Sequence, residues 1–331
     1  MRVLVTGGYG FIGSNFIRFL LKNTEHEVVN LDALTYAGNR DDLKDYEDDS
    51  RCTFIHGRIE DRELLNRVVE DVDYVVNFAA ETHVDRSIKE PFLFLTTNVI
   101  GAHTLLEACK DSGVKRFLHI STDEVYGSLE SDEGKFTEDL PLKPNSPYSA
   151  SKAAVDMLVR AYNVTYGLPV VTVRPSNNYG YYQFPEKFIP LMITNLLENK
   201  PVPVYGDGKN IRDWLFVEDC ARGVFDVLMK GREGEIYNLG GVSERRNIEV
   251  TKTVLEIMGK DESYIKFVKD RPGHDYRYAL DITKVKREVG WKPAVSFEEG
   301  LKKTIEWYRE NTRWWKPLQQ RLEKESKGFW S

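Results

Sequence analysis

Gly7, Gly10 and Gly13 stand three residues apart, directly behind the apolar run Arg2–Thr6 and at the head of the amphipathic segment Phe11–Lys22. Few features constrain a fold more. The first glycine suits a tight turn, the second lets the backbone approach a bound group, and the third lets a helix lie close to its strand. A helix that starts on such a turn aims its unpaired N–H groups at whatever binds there, so a phosphate-bearing guest is expected. The strand–helix rhythm then continues. Apolar runs at Val28–Asp32, Thr53–His56, Tyr74–Asn77, Phe117–Ile120 and Val170–Arg174 alternate with helical patterns near Asp61–Glu70, Thr96–Ser112 and Ser146–Tyr166. This alternation predicts an α/β fold, a Rossmann-type doubly wound parallel sheet covered by helices on both faces.

After Pro175 the pattern changes to loops rich in Asn, Tyr, Pro and Gly with shorter elements at Val202–Tyr205, Ile211–Val217 and Ile236–Leu239. We expect a smaller C-terminal α/β substrate-binding domain over residues 176–315, packed on the C-terminal strand ends of a first domain at 1–175, where open α/β sheets take their ligands. The boundary is soft: Val170–Arg174 belongs with the first sheet, and later segments are free to cross back. Residues 316–331 are charged and weakly patterned, and are expected to fray as a tail.

A chain of 331 residues, 41% hydrophobic and 30% charged, can bury a large core. Its net charge of −6 argues against nucleic acid as a partner, while local basic clusters could still grip phosphates. Cys52, Cys109 and Cys220 lie far apart with neither CxxC nor metal-ligand spacing, which points to reduced thiols in a cytoplasmic enzyme without a metal. No apolar run is read as approaching the length of about 20 residues that spans a membrane. The N-terminus enters a strand at once, leaving no room for a signal peptide.

Asp32 closes the second apolar run, 19 positions after Gly13. A carboxylate there can accept hydrogen bonds from a ribose and would repel a 2′-phosphate, so the expected cofactor is NAD rather than NADP. Phe78-Ala79-Ala80-Glu81-Thr82 ends the fourth run in small residues, which suits a backbone running close to that cofactor. The helix at Ser146–Tyr166 would hold Tyr148 and Lys152 side by side at i and i+4. A phenol whose proton is loosened by a nearby ammonium can take the proton of a sugar alcohol while hydride leaves its carbon. At the end of the fifth run stand Thr122, Asp123 and Glu124. Two adjacent carboxylates offer an extra acid and an extra base, and repulsion between them would raise one of their pKa values. A plain alcohol dehydrogenase or a 4-epimerase has no use for that pair.

Several further runs carry a resemblance. Leu31-Asp32-Ala33-Leu34-Thr35-Tyr36-Ala37-Gly38, Ala80-Glu81-Thr82-His83-Val84-Asp85-Arg86-Ser87 and Ser121-Thr122-Asp123-Glu124-Val125-Tyr126-Gly127 lie in the first half. Ser176-Asn177-Asn178-Tyr179-Gly180, Phe184-Pro185-Glu186-Lys187, Gly206-Asp207-Gly208-Lys209-Asn210-Ile211-Arg212-Asp213-Trp214 and Asp270-Arg271-Pro272-Gly273-His274-Asp275 lie in the second. From residue 1 to about 312 the chain resembles the dTDP-glucose 4,6-dehydratase family of the extended short-chain dehydrogenase/reductase superfamily.

That resemblance implies a lyase that holds NAD and dehydrates dTDP-glucose to the 4-keto-6-deoxy sugar. Hydride leaves C4, water is lost across C5 and C6, and hydride returns to C6. By motif position, Tyr148 is the C4-hydroxyl base, Lys152 lowers its pKa and holds the nicotinamide ribose, and Thr122 bonds the C4 oxygen. Glu124 takes the C5 proton and Asp123 protonates the departing C6 hydroxyl. The implied cofactor contacts are Gly7, Gly10, Phe11, Ile12, Gly13, Asp32, Leu34, Thr35, Gly38, Ile59, Ala79, Ala80, Thr82, Asn98, Tyr148, Lys152 and Asn178.

The implied substrate contacts are His83, Ser87 and Thr122 on the sugar side, and Arg212 and Arg271 at the diphosphate, with Asn177, Lys187 and Asn247 assisting. Pro203 and Tyr205 lie near the base and His274 near the phosphates. His119, inside the fifth run, reads as a core histidine. Two positions depart from the family pattern. Arg58 stands where an Asp beside the adenine is usual, which loses a side-chain contact, and Tyr181 stands where a Pro is usual, which would loosen its loop. The family also implies a homodimer through a four-helix interface formed by Thr96–Ser112 and Ser146–Tyr166. Other readings are a dehydratase of another nucleotide sugar such as UDP-glucose, a nucleotide-sugar 4-epimerase, and a catalytically silent NAD-binding regulator.

Overall fold

A computed structural model describes residues 1–270 and 273–326. In chain order the strands are β1 (Arg2–Thr6), β2 (Glu27–Asp32), β3 (Cys52–His56), β4 (Tyr74–Asn77), β5 (Arg116–Ile120), β6 (Val170–Pro175), β7 (Asn177–Tyr179), β8 (Val202–Tyr205), β9 (Ile211–Phe216), β10 (Ile236–Leu239), β11 (Glu244–Arg246) and β12 (Ile265–Val268). Seven of them form one sheet in the order β10-β6-β5-β4-β1-β2-β3, every pairing parallel. The chain winds outward from β1 to β3 and then returns to lay β4 on the other side of β1. That reversal opens a crevice at the C-terminal ends of β1 and β4, where the glycine turn lies.

Both faces of the sheet are covered, which is why its inner strands read as largely apolar runs, while the edge strand β3 is half-exposed. Phe16, Ile17 and Leu20 of the Phe11–Asn23 helix pack with Val224, Val227 and Leu228 of the Val217–Lys230 helix on one face. On the other face, Leu65 and Val68 meet Leu105, Val155 and Val159. The strand Ile236–Leu239, which the sequence places in the second unit, is instead β10 at the edge of the first sheet, paired with β6.

The second unit has its own core, in which Ile189, Met192 and Ile193 pack against Val250, Val254, Leu301 and Ile305. Two small sheets stand over the strand ends, β11-β9-β7 and β12-β8. The expected fraying tail over 316–331 is corrected as far as Ser326, and residues 327–331 lie outside the described residues. A helix runs from Thr312 to Ser326 because its aromatic residues find partners: Trp315 is fully buried and bonds the Tyr308 carbonyl at 2.8 Å, and Trp314 bonds Asp42 at 2.8 Å.

The membrane reading also changes. The helical stretch Pro91–Lys110 has 20 residues and is apolar enough to cross a membrane by length and composition alone. Half of it is buried inside the fold. Its buried stripe, including Leu105 and Leu106, packs on the Arg62–Val69 and Pro147–Tyr166 helices.

Candidate active site

Gly7 adopts φ of +71°, and a Cβ there would lie 2.7 Å from the Ala79 nitrogen. A Cβ on Gly13 would lie 2.3 Å from the Gly7 carbonyl oxygen. Only glycine therefore lets the turn press against the end of β4 while the helix stays on its strand. The helix that follows has no side-chain cap at Gly10. Its first-turn N–H groups thus face the crevice, as a pyrophosphate requires. Asp32 accepts from the Tyr9 amide at 2.8 Å and from the Leu34 amide at 2.7 Å, one on each oxygen. These bonds fix the carboxylate and leave lone pairs for ribose hydroxyls.

The crevice has a volume of about 310 Å³, and its wall holds Gly7, Gly10, Phe11, Ile12, Gly13, Asp32, Thr35, Gly38, Ile59, Ala79, Ala80, Thr82 and Asn178 with Tyr148 and Lys152. Two expected contacts stand behind that wall. Leu34 turns its side chain to the core and contributes an unusual backbone, φ +49°. Asn98 is buried, bonding both backbone polar groups of Glu81 and the Ser151 hydroxyl, and so holds the loop after β4 in place. Arg58 reaches the wall, 3.8 Å from Glu60. Tyr181 does not loosen its loop: its ring packs on Phe216 and Trp307, and its carbonyl accepts from Asn15 at 3.0 Å.

The catalytic candidates converge because two local signals agree. Ser146 and Ser149 form a capping box and Pro147 occupies the first turn, so the Pro147–Tyr166 helix starts one residue before Tyr148. Gly167, at φ +67°, ends it. Lys152, one turn further on, donates to the Ile120 carbonyl at the end of β5. Thr122 caps the short turn Asp123–Tyr126 by accepting from the Glu124 amide at 3.3 Å. Tyr148, Lys152, Thr122 and Asp123 are all buried, while Glu124 is half-buried.

Burial pushes the Asp123 carboxyl well above its usual range, with Glu124 second and Asp213 third, against Arg212 and Thr122. The expected like-charge repulsion is therefore real but secondary. Burial also holds Lys152 down to about 8, with Asp156 opposing. The Tyr148 phenol is raised by burial, then by Glu124 and Asp123, and only the Thr122 hydrogen bond favours its ionised form. The ammonium of Lys152 is held by the Ile120 carbonyl. His119 is buried in β5 and burial holds it neutral, with the Asn77 side chain 3.4 Å from its Nδ1.

A second cleft of about 850 Å³ opens from the first and shares Thr82, Glu124, Asn177, Asn178 and Lys187 with it. Its wall holds His83, Pro203, Tyr205, Arg212, Asn247 and His274. Arg212 is set beforehand: it donates to the carbonyls of Ile211, Asp275 and Tyr276 and lies 4.3 Å over the Tyr278 ring. Asn177 and Asn247 each carry a buried side-chain oxygen with no partner among the described residues, as residues awaiting a ligand do. Ser87 is not on the wall. It is fully buried and donates to Val84 of its own short helix at 2.6 Å. Arg271 lies outside the described residues.

The structure adds residues that sequence reasoning missed. Tyr36 donates to Glu186 at 2.7 Å, with the Arg86 guanidinium 3.6 Å over the Tyr36 ring and His83 3.6 Å from Glu186. This cluster joins the loop after β2 to the second unit where the two clefts meet. Tyr36, Arg86 and Glu186, the three not singled out beforehand, sit inside runs that carried the resemblance, so position within a motif was the available signal.

The sequence profile described as GDP-mannose 4,6 dehydratase matches residues 4–304. The chain is 51% identical to dTDP-glucose 4,6-dehydratase 1 of Escherichia coli K12, over 95% of this chain and 94% of that one. Among solved structures it matches DesIV, a dTDP-glucose 4,6-dehydratase of Streptomyces venezuelae crystallised with NAD, at a TM-score of 0.93 and 53% identity, covering 96% of this chain and all of the other. It matches the NAD complex of the Bacillus anthracis enzyme of that name at 0.91 and 50%, covering 96% and 99%. With one cleft shaped for a dinucleotide, a second rich in cations and an acid pair between them, the chain belongs to the nucleotide-sugar 4,6-dehydratase family that this profile describes.

Proposed function

We propose that the protein converts dTDP-glucose to dTDP-4-keto-6-deoxyglucose. The observation that carries this is the buried Asp123 beside Glu124, within reach of Tyr148 at the junction of the two clefts. NAD, when bound, supplies the one chemistry side chains lack, taking a hydride from C4 and returning it to C6. The glycine turn and the free start of the Phe11–Asn23 helix would hold its pyrophosphate, Asp32 its adenosine ribose and Lys152 its nicotinamide ribose. Tyr148 accepts the O4 proton while Thr122 bonds that oxygen. The 4-ketone acidifies C5, and Glu124 removes its proton. Asp123, kept protonated by burial, gives its proton to the departing C6 hydroxyl. Arg212, Lys187, Asn177, Asn247 and His274 grip the diphosphate, and Pro203 and Tyr205 flank the base.

Purified protein given dTDP-glucose should form a 4-keto sugar, read by its absorbance in alkali, with no reductant added. UDP-glucose at the same concentration should turn over far more slowly. Formation of dTDP-galactose alone would make the protein an epimerase.

The same reading extends to assembly and location. Phe92 and Ile100 of Pro91–Lys110 and Met157 and Val164 of Pro147–Tyr166 are at least half exposed, Phe92 at 78%. An apolar stripe across two neighbouring helices suits a four-helix contact with a second copy of the chain. Light scattering should give twice the mass of one chain. Free Cys52, Cys109 and Cys220 suit a cytoplasmic enzyme.

A further inference from the structure

In the large sheet β1 lies between β4 and β2, so the loops that follow β4 and β2 flank the glycine turn on either side. Both loops line the dinucleotide crevice, and so do Phe184, Glu186 and Lys187, which follow β7 in the second unit. That third stretch is bonded to both flanks. On the β4 side Lys187 Nζ donates to the Thr82 carbonyl at 3.3 Å. On the β2 side the Tyr36 hydroxyl donates to Glu186 at 2.7 Å, and the Phe184 ring meets the Tyr36 ring edge-on at 5.6 Å. Residues 184–187 therefore span the crevice from one flank to the other.

The bond on the β2 side is the stronger of the two. The Glu186 side chain is only 11% exposed, with His83 3.6 Å and Arg86 3.9 Å from its second oxygen. The Arg86 guanidinium also lies 3.6 Å over the Tyr36 ring. A hydroxyl donating to a buried carboxylate makes one of the stronger kinds of hydrogen bond. Burial, and then the Glu186 charge, hold the Tyr36 phenol well above its usual range, so it stays a donor. Each partner also stands just beyond a strained residue. Leu34 has φ of +49° and Tyr182 has φ of +63°, left-handed backbone at two bulky side chains. Such backbone persists only where neighbouring contacts hold it, and it clusters at clamps and switch regions.

We propose that residues 184–187 form a strap over the dinucleotide crevice, with the Tyr36–Glu186 bond as its latch. The latch joins two side chains of the protein, so it resists entry and exit of the cofactor alike. Chemistry does not require it to open: the hydride taken from C4 returns to C6, and no turnover needs a fresh cofactor. Glu186 and Lys187 line the substrate cleft as well, so a nucleotide sugar seated there lies against the shut strap. This inference rests on the reading that the crevice holds NAD.

Holoenzyme loaded with isotope-labelled NAD and diluted into excess unlabelled NAD tests it, the label left on the protein being read by rapid gel filtration. Tyr36→Phe keeps the ring beneath Arg86 and against Phe184 and removes only the hydroxyl. It should release label about 10-fold faster than wild type or more, the scale of one hydrogen bond to a charged group. Glu186→Gln, which keeps an acceptor oxygen without the charge, should release at an intermediate rate. Dialysis of each loaded protein against graded labelled NAD until exchange is complete gives the affinity. Because a latch slows both directions equally, that affinity should stay within about 2-fold of wild type. Unchanged release in both variants, or release speeded and affinity weakened by the same factor, would overturn the latch. A wild-type protein that holds no NAD would instead overturn the cofactor reading beneath it.

Discussion

The two clefts are built on different principles. The dinucleotide crevice is made largely of main chain at strand ends: glycines that permit close approach, a helix start without a cap, and an Asp32 fixed by two amides. The substrate cleft is made of side chains from separate elements. Arg212, Asn247 and His274 are gathered there by β9, by the Asn247–Met258 helix and by the segment after β12. Backbone geometry can serve any dinucleotide, whereas a side-chain set can be changed one residue at a time. The acid pair stands on the seam, so chemistry is controlled where the general half meets the particular one.

The largest effect that would sharpen this contrast is on the general half. Tyr148→Phe should cut formation of the 4-keto sugar by about 10²–10⁴-fold, the range of a lost general base, with NAD content of the purified protein unchanged. Asp123→Asn should strike only the second step. Sugar oxidation should proceed and water loss should stall, so reduced nicotinamide accumulates at its ultraviolet band while product falls by about 10²-fold or more.

The same variant has a signature in stability. Burial raises the Asp123 carboxyl above 3.8, so the folded chain holds a proton that the unfolded chain gives up. Its contribution is fully present at low pH and is lost as pH rises from that value upward. The wild-type melting temperature should therefore fall relative to Asp123→Asn as pH rises from about 4 upward. A smaller effect is expected at the border of the halves. Arg321 donates to the Thr35 and Tyr36 carbonyls of the cofactor loop. Arg321→Ala should speed NAD release by only about 2–10-fold, as befits one or two hydrogen bonds.

Legibility follows the same division. Most of the strands that open the first sheet were readable because a strand buried on both faces must be apolar throughout, the half-exposed edge strand β3 excepted, and Tyr148 and Lys152 because helical spacing fixes their adjacency. The glycine turn and Asp32 were readable for the same local reason. What was not legible depends on tertiary placement. Asn98 carries a polar side chain near the right strand, yet it serves the Glu81 backbone. Ser87 spends its hydroxyl on its own helix. Nothing local shows that Ile236–Leu239 returns to the first sheet, since its pairing with β6 is made across some sixty residues. The Thr312–Ser326 helix was hidden for the same reason, its tryptophans being held by Tyr308 and Asp42. The hold of the Ile120 carbonyl on the Lys152 ammonium was likewise not legible, because it joins the helix to the end of a strand 32 residues earlier.

The central claim is that one buried site oxidises, dehydrates and reduces the same hexose. Turnover of dTDP-glucose carrying deuterium at C4, followed by mass and magnetic resonance analysis of the product, tests it most directly. The label should appear in the C6 methyl group of the 4-keto sugar, in the molecule that lost it. Label retained at C4, or washed out into solvent, would contradict the account.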